Sequence, residues 1–265
     1  MKKIASSLWL VIVVLFIYLP IVLLAVYSFT SSTTIGTIRG FSLHNYVTLF
    51  TTDELKKMII GTVLLALGSA IIATILGSLG AIGAFYSKKI PKTLMHEMNQ
   101  IPMVNADVVT GFSICIFLIV VLHMSKDTFV PLVIGHVVLS APFVYLSVVP
   151  KLKQFDNSLY EAALDMGAKP WQALVKVLIP QVAPGIVSGF MMAVTLSLDD
   201  YFIATYTKPA TFDTISTYVV NATKGAQTNI KTALWALSTV IFALVVIVVI
   251  AMNVKAGKEK AREEV

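Results

Sequence analysis

The stretch Glu161-Ala162-Ala163-Leu164-Asp165-Met166-Gly167 decides how this chain is organised, because it is a polar, helix-forming segment between long apolar runs. Its closing Gly167 suits the left-handed residue that commonly ends a helix. Pro170 suits the first turn of a second helix, which leads toward Pro180 and the apolar run beyond it. The stretch therefore predicts a helical hairpin that leads into a membrane-spanning segment.

The first helix of this hairpin is predicted to begin at Ser158. The sequence from Ser158 to Glu161 has the form of a capping box, in which each of these two side chains accepts from the backbone amide of the other residue. Two interpretations follow. In one, Glu161 only caps the helix and the glycine only turns the chain. In the other, Ala162 and Ala163 form a slim face that fits a groove on another protein.

The composition indicates an integral membrane protein. Hydrophobic residues make up 57% of the chain, charged residues 13%, and the mean hydropathy is +0.85. A soluble domain carries about twice that charged fraction. The net charge of +6 does not indicate a nucleic-acid partner, because cytoplasmic loops of membrane proteins concentrate Lys and Arg.

Cys115 and His136 lie in apolar runs and are expected to pack there. The four histidines are scattered along the chain and give no metal-binding spacing.

The apolar runs predict an all-α, polytopic membrane protein in which residues 1–265 form a single transmembrane domain. Six runs are long enough to cross about 30 Å of hydrocarbon as helices. Helices are expected because the runs are continuously apolar and do not alternate. The predicted spans are 8–29, 58–86, 101–122, 128–149, 182–198 and 233–253, and the hairpin lies in the long loop 150–181.

The distribution of Lys and Arg predicts that both termini face the cytoplasm. With that orientation thirteen of the 20 basic residues fall in inner segments and seven fall in outer loops. Inner loops carry the excess of basic residues in membrane proteins, so the chain is expected to be a multi-pass protein of the cytoplasmic (inner) membrane. The inner loops would be 87–100, which is short, and 150–181.

The second predicted span carries Ser69, Ala73, Gly77 and Ala81 at intervals of four residues. Small residues at this spacing let two helix backbones approach closely in lipid. Ordinary helix packing is one interpretation of this stripe, and a role in closing a pore is the other.

The hairpin resembles the EAA loop of the permeases of ABC importers. The family pattern places Glu-Ala-Ala before a glycine and ends in Ile-x-Leu-Pro, and this chain has Glu161-Ala162-Ala163, Gly167 and Val177-Leu178-Ile179-Pro180. Val177 and Ile179 depart from the pattern but keep its apolar character. Further likeness to PotC-type permeases of spermidine/putrescine importers is carried by Pro20, Leu152-Lys153-Gln154-Phe155-Asp156 and Leu196-Ser197-Leu198-Asp199-Asp200, with Leu198 as a departure.

This resemblance implies a type I ABC-importer permease that carries polyamines by alternating access and is not itself an enzyme. In that family the loop forms coupling helices that seat in a cleft of a cytoplasmic ATPase, which implies Glu161, Ala162, Ala163 and Gly167 as contact positions. Two ATPase copies would hold ATP and Mg²⁺, so this chain would need no cofactor of its own. A second, related permease in a heterodimer and an extracytoplasmic polyamine-binding protein would complete the assembly in the lipid membrane.

Three carboxylates are candidate pathway residues for a substrate that carries ammonium groups. Asp199 and Asp200 close the fifth predicted span at its outer side, and Asp107 lies in or at the inner edge of the third. A carboxylate in hydrocarbon costs about 2.5–3.5 kcal/mol on insertion scales, so it usually faces protein, water or a partner. The alternative is that Asp199 or Asp200 caps the end of a helix or begins a turn, and that Asp107 is the N-cap where a broken helix restarts. Nearby aromatic residues are expected to add cation–π contact: Tyr201, Phe202 and Tyr206.

The sequence lacks three motifs that are typical of nucleotide-hydrolysing and proteolytic or esterolytic enzymes. It has no G-x-x-x-x-G-K-[ST] phosphate loop, so it is not expected to hydrolyse ATP by that route, and it has neither G-x-S-x-G nor H-E-x-x-H. Two other classes stay open at this point: a self-contained secondary transporter or channel, and an intramembrane enzyme. Within the importer class, permeases for molybdate, sulfate or iron share the same loop, but an anionic substrate would fit badly with the acidic pair.

Overall fold

The computed structural model describes residues 2–32, 37, 39–224, 232–243 and 246. Regular structure in these ranges is helical, apart from an isolated β-bridge between Thr30 and Phe41, and the predicted all-α class is confirmed. The helices, in chain order, are α1 Lys2–Ser28, α2 His44–Thr51, α3 Asp53–Tyr86, α4 Lys89–Val104, α5 Asp107–Cys115, α6 Val130–Gln154, α7 Asn157–Asp165, α8 Pro170–Ala173, α9 Ile179–Asp199, α10 Phe202–Thr207, α11 Ile215–Lys224 and α12 Thr232–Ala243. Two π-helical segments, Ile116–Val121 and Leu174–Leu178, extend α5 and α8.

Among the described residues, four helices are long and apolar enough to cross a membrane. They are Trp9–Ser28 within α1, α3, α6, and the continuous helix Pro170–Asp199 that α8, its π-helical extension and α9 form together. A fifth crossing results if α4 and the extended α5, which meet at 106°, are taken as one span. The sixth predicted span, 233–253, begins within α12, and most of it beyond Ala243 lies outside the described residues.

The third predicted span, 101–122, is not one helix in the structure. α4 ends at Val104, Asn105 and Ala106 adopt extended backbone, and α5 begins at Asp107. Pro102 in the last turn of α4 weakens the helix there, because proline has no amide hydrogen to donate. A helix does restart at this break, but the alternative that Asp107 is its N-cap is wrong, because Ala106 holds the cap position and Asp107 is the first helical residue.

The inner loop predicted at 87–100 is largely occupied by α4. Ile90, Leu94, Met98 and Ile101 recur at intervals of three or four residues and lie exposed along this helix. Such a stripe is typical of an amphipathic helix. A search for continuous apolar runs overlooks it, because charged and polar residues interrupt the stripe.

The chain forms two compact units, residues 1–57 with 219–265, and residues 58–218. In the first unit, the Ser28 hydroxyl lies 2.8 Å from the Tyr46 hydroxyl, and Asn45 Nδ2 donates to the carbonyl oxygen of Ser28 at 3.0 Å. In the second unit, buried side chains of α3, α6 and α9 form the main hydrophobic core. This second unit holds both candidate sites described below.

The stripe of small residues in α3 packs against α6. A Cβ atom placed on Gly77 would lie 2.7 Å from Val144 Cβ and 2.8 Å from the carbonyl oxygen of Ala141. Ala73 and Ala81 of the same stripe are buried in the core between these helices. The packing interpretation of the stripe is therefore confirmed, because only glycine allows this approach at position 77.

We expect Gly77→Ala to lower the free energy of unfolding by about 1–3 kcal/mol. The added methyl group would overlap the backbone carbonyl oxygen of Ala141, which cannot rotate away as a flexible side chain can. Gly83→Ala in the same helix is the matched control, since a Cβ atom there would meet nothing within 4 Å. Thermal unfolding of the purified protein in detergent measures the difference. Equal melting temperatures for the two variants would contradict this packing.

Candidate functional site

The coupling hairpin, defined here as residues 156–178, begins at Asp156. Its Oδ1 accepts from the amide of Ser158 at 3.0 Å, so Asp156 is the N-cap of α7 and the predicted capping box at Ser158 is wrong. Aspartate caps as well as serine does, and its charge also interacts favourably with the helix dipole. The same amide lowers the pKa of the Asp156 carboxyl below its ordinary value. Glu161 is left to accept a long hydrogen bond of 3.4 Å from Asn157 Nδ2.

The turn of the hairpin has the predicted left-handed glycine. Gly167 has φ +87°, its amide donates to the carbonyl of Leu164 at 2.8 Å, and the amide of Ala168 donates to that of Ala163 at 3.0 Å. These two bonds form the Schellman arrangement that ends many helices. A Cβ atom on Gly167 would meet nothing within 4 Å, so only the backbone conformation requires glycine here.

The second arm of the hairpin begins at Pro170, as predicted. The Lys169 amide donates to Gln172 Oε1 at 2.9 Å, and the Tyr160 hydroxyl donates to the carbonyl of Pro170 at 3.3 Å, which joins the two arms. From Pro170 the helix continues without a break to Asp199. The second arm of the hairpin and the membrane-spanning segment are therefore one continuous helix.

The predicted contact positions of the hairpin divide into an exposed and a buried group. Glu161, Ala162 and Gly167 are exposed, whereas Ala163 is only 7% exposed and packs inside the chain. Four large apolar side chains also lie exposed on the hairpin and were not predicted as contacts: Leu159, Met166, Trp171 and Val175. Apolar residues in an otherwise polar loop were the signal that could have identified them.

A cavity of about 300 Å³ brings together the three carboxylates predicted for the pathway and the predicted aromatic residue Tyr201. It lies between α4, α5, α6 and the end of α9. Leu139 and Phe143, which line it, are near the middle of α6, so the cavity lies about halfway along a spanning helix. The lining residues are Pro102, Met103, Asp107, Leu139, Phe143, Leu196, Asp199, Asp200, Tyr201 and Phe202.

The two adjacent aspartates have different environments. Asp200 Oδ2 accepts from the amide of Ala204 at 2.7 Å, and its Oδ1 accepts from that of Ile203 at 3.2 Å. Through these two bonds Asp200 caps the start of α10, whereas the alternative interpretation placed a cap at the end of a helix. Its side chain is only 5% exposed. Asp199 and Asp107 are exposed residues at the cavity wall. Their carboxylates are available to a ligand, while most of the Asp200 carboxylate is engaged with backbone amides.

A chain of buried polar groups supports Asp200 from behind. His136 Nε2 lies 3.6 Å from Asp200 Oδ2, and His136 Nδ1 lies 2.7 Å from the Ser197 hydroxyl. The Ser197 hydroxyl lies 3.2 Å from that of Ser69, which donates to the carbonyl of Leu65. His136 is thus a hydrogen-bonded packing residue, as predicted, but its position behind Asp200 was not foreseen. This network of polar groups links α3, α6 and α9 and, through the amides bound by Asp200, α10 at the level of the cavity.

The aromatic residues near the cavity also divide. Tyr201 and Phe202 line it, with their ring centroids 5.2 Å apart. Tyr206 packs edge-on against Phe112 at 5.7 Å and is not a lining residue. The cation–π contact predicted for Tyr206 therefore has no support from its position, whereas that for Tyr201 and Phe202 has.

Residues 73–256 match the family described as the binding-protein-dependent transport system inner membrane component. Over 234 residues the chain is 29% identical to the spermidine/putrescine transport system permease protein PotC of Haemophilus influenzae, with 88% of this chain and 89% of the relative covered. The putrescine transport system permease protein PotI of Escherichia coli K12 is 28% identical over 270 residues, which cover 98% of this chain and 95% of the relative.

Solved structures of ABC importers share the fold. A chain of a bacterial ABC transporter that imports the acidic polysaccharide alginate matches with a TM-score of 0.72 at 19% identity, and 96% of each chain is covered. A chain of the MetNI methionine ABC transporter, in an inward facing conformation, matches with a TM-score of 0.53 at 17% identity, with 78% of this chain and 99% of that chain covered. The predicted permease fold is confirmed by these matches.

Proposed function

This chain belongs to the family of binding-protein-dependent transport system inner membrane components, and we propose that it is the permease subunit through which an ATP-driven importer carries polyamines such as spermidine and putrescine. The fold alone does not select such a substrate, because an importer of an acidic polysaccharide has the same one. The names of the relatives, which span most of this chain, favour polyamines.

The observation that carries the proposal is the acidic cavity at mid-depth of α6. Asp107, Asp199 and Asp200 line one space with Tyr201 and Phe202. An ammonium group in this space would meet carboxylates directly and aromatic rings beside them, and both interactions strengthen where water is partly excluded. A carboxylate cluster at this depth would disfavour an anion and would favour a flexible chain of ammonium groups.

The continuous helix Pro170–Asp199 supplies a physical link between energy input and the cavity. It carries the second arm of the coupling hairpin at one end and Asp199 at the other. When the ATPases close on ATP, a movement of the hairpin would shift the end of this helix relative to α5. Such a shift would change how the carboxylates converge, and thereby switch the cavity between high and low affinity for the cation.

The partners follow from the same arrangement. The exposed residues of the hairpin would seat in a cytoplasmic ATPase present in two copies, and the hairpin and both termini would then lie on the cytoplasmic side. One permease with four or five crossings in its described residues would form half of a pathway, and a second, related permease would form the other half. A polyamine-binding protein would deliver the substrate from outside.

The proposal is tested with the assembled complex in proteoliposomes, loaded with binding protein and supplied with ATP. We expect spermidine or putrescine to stimulate ATP hydrolysis and to be taken up, and sulfate, molybdate and iron to do neither. Uptake of polyamine that proceeds without any ATPase would identify a secondary transporter instead. Stimulation by an anion alone would assign the chain to another substrate class.

A further inference from the structure

A second cavity, here called the lysine pocket, lies apart from the acidic cavity and the hairpin. It has a volume of about 220 Å³ and lies between the end of α3, the first half of α4 and the second half of α6. Lys89, Lys92 and Lys153 line it. Lys89 and Lys92 lie one helical turn apart on α4, so both point to the same side of that helix.

The three lysines of this pocket have no anionic partner among the described residues. None of them forms an ion pair there, and no Asp or Glu is a lining residue. The Lys92 ammonium lies 5.4 Å from the centre of the Phe85 ring, which keeps this charge at the wall of the pocket. The uncapped start of α4 at Lys89 adds the positive end of a helix dipole. The pocket therefore attracts an anion that the described residues do not provide.

Part of the wall of the pocket is apolar. Ala84 and Leu152 are buried, Val149 is half-buried, and all three line the space beside the lysines. α3 ends at Tyr86 and α6 ends at Gln154, so the pocket lies at the ends of two spanning helices. That position is the depth at which lipid headgroups meet acyl chains. A small soluble anion would use the lysines but leave the apolar wall unmatched, whereas a phospholipid would match both.

We propose that the lysine pocket binds the headgroup phosphate of an anionic phospholipid, with the upper part of an acyl chain against the apolar wall. The pocket is on the same side of the spans as the coupling hairpin, so the lipid would come from the cytoplasmic leaflet; that assignment alone rests on the proposed function. Basic pockets between spanning helices on this side are suited to acidic headgroups. A bound lipid would join α4 to α6 just before the hairpin begins.

The experiment measures lipid binding to the assembled, detergent-purified complex by native mass spectrometry, with phosphatidylglycerol and phosphatidylcholine as probes. The pocket variant is Lys89→Gln, Lys92→Gln and Lys153→Gln combined. The control variant is Lys57→Gln, Lys88→Gln and Lys126→Gln, which removes the same charge from exposed residues outside both the pocket and the hairpin. We expect phosphatidylglycerol affinity to fall about tenfold or more in the pocket variant and to change little in the control.

A variant with arginine at the three pocket positions keeps the charge and is expected to retain binding, which separates loss of charge from loss of fold. Equal losses in the pocket and control variants would overturn the proposal. So would competition by inorganic phosphate at matched concentration, which would indicate a soluble ligand, or binding that appears only after the ATPase is removed, which would indicate that protein covers the pocket. Polyamine stimulation of the ATPase is measured separately, so either proposal can fail without the other.

Discussion

Ala162→Trp is expected to release the ATPase from this permease and to lower polyamine uptake by about 30-fold or more. Ala162 is exposed on α7 beside Glu161, and its methyl group leaves the hairpin slim at the point proposed to enter the partner's cleft. An indole there would occupy the space of partner atoms, and central contacts of this kind are worth about 2 kcal/mol or more. Co-purification of the ATPase and uptake into vesicles are the two measurements.

Ala163→Trp, at the neighbouring residue, is the control, because it is expected to disturb the fold of the permease and not the docking of the ATPase. Ala163 is 7% exposed, so Ala163→Trp would overpack the hairpin itself and is expected to reduce expression or thermal stability of the permease. Ala162→Trp should leave both unchanged, because its side chain extends outward. Ala162→Ser, which preserves the small size, should retain uptake. Full uptake by Ala162→Trp with the ATPase still attached would show that this face of the hairpin does not dock.

Much of the hairpin could be predicted from local sequence because its signals are local. Gly167 and Pro170 act through their own backbone, so their roles as turn and helix start are confirmed. The sequence predicts the cap two residues too late, because Asp156 and Ser158 are both good caps and only the structure shows that the Asp156 carboxylate accepts from the Ser158 amide. The burial of Ala163 depends on packing between the arms, which helix periodicity alone does not fix.

The carboxylates of the acidic cavity could be predicted from the sequence, but their convergence on one cavity could not. Each carboxylate was identified because ionised groups are costly in hydrocarbon, and that argument needs no partner. Their convergence depends on the break between α4 and α5 and on the turn after Asp199, neither of which a run of apolar residues defines. The pairing of His136 with Ser197 joins residues 61 positions apart, so no local pattern predicts it.

Removal of charge from the cavity gives the second large effect that we expect. Asp107→Asn and Asp199→Asn should each lower the efficiency of polyamine uptake by about tenfold, which corresponds to about 1.4 kcal/mol. Both side chains are exposed at the cavity wall. Neither forms a hydrogen bond among the described residues, so asparagine changes the charge and little else. The double variant should lose about 100-fold if the two carboxylates act independently.

Asp200→Asn requires a separate expectation, because this carboxylate accepts two backbone amides of α10 and faces His136. An asparagine oxygen replaces one of these acceptors but its NH₂ group cannot replace the other, so thermal stability should fall together with uptake.

Asp127→Asn, which changes an exposed acidic residue outside the cavity, is the charge-matched control and should transport normally. Spermidine has more ammonium groups than putrescine and should lose more efficiency in the Asp107→Asn, Asp199→Asn double variant. Equal uptake by that variant and the Asp127→Asn control would exclude the cavity from the path of the cation.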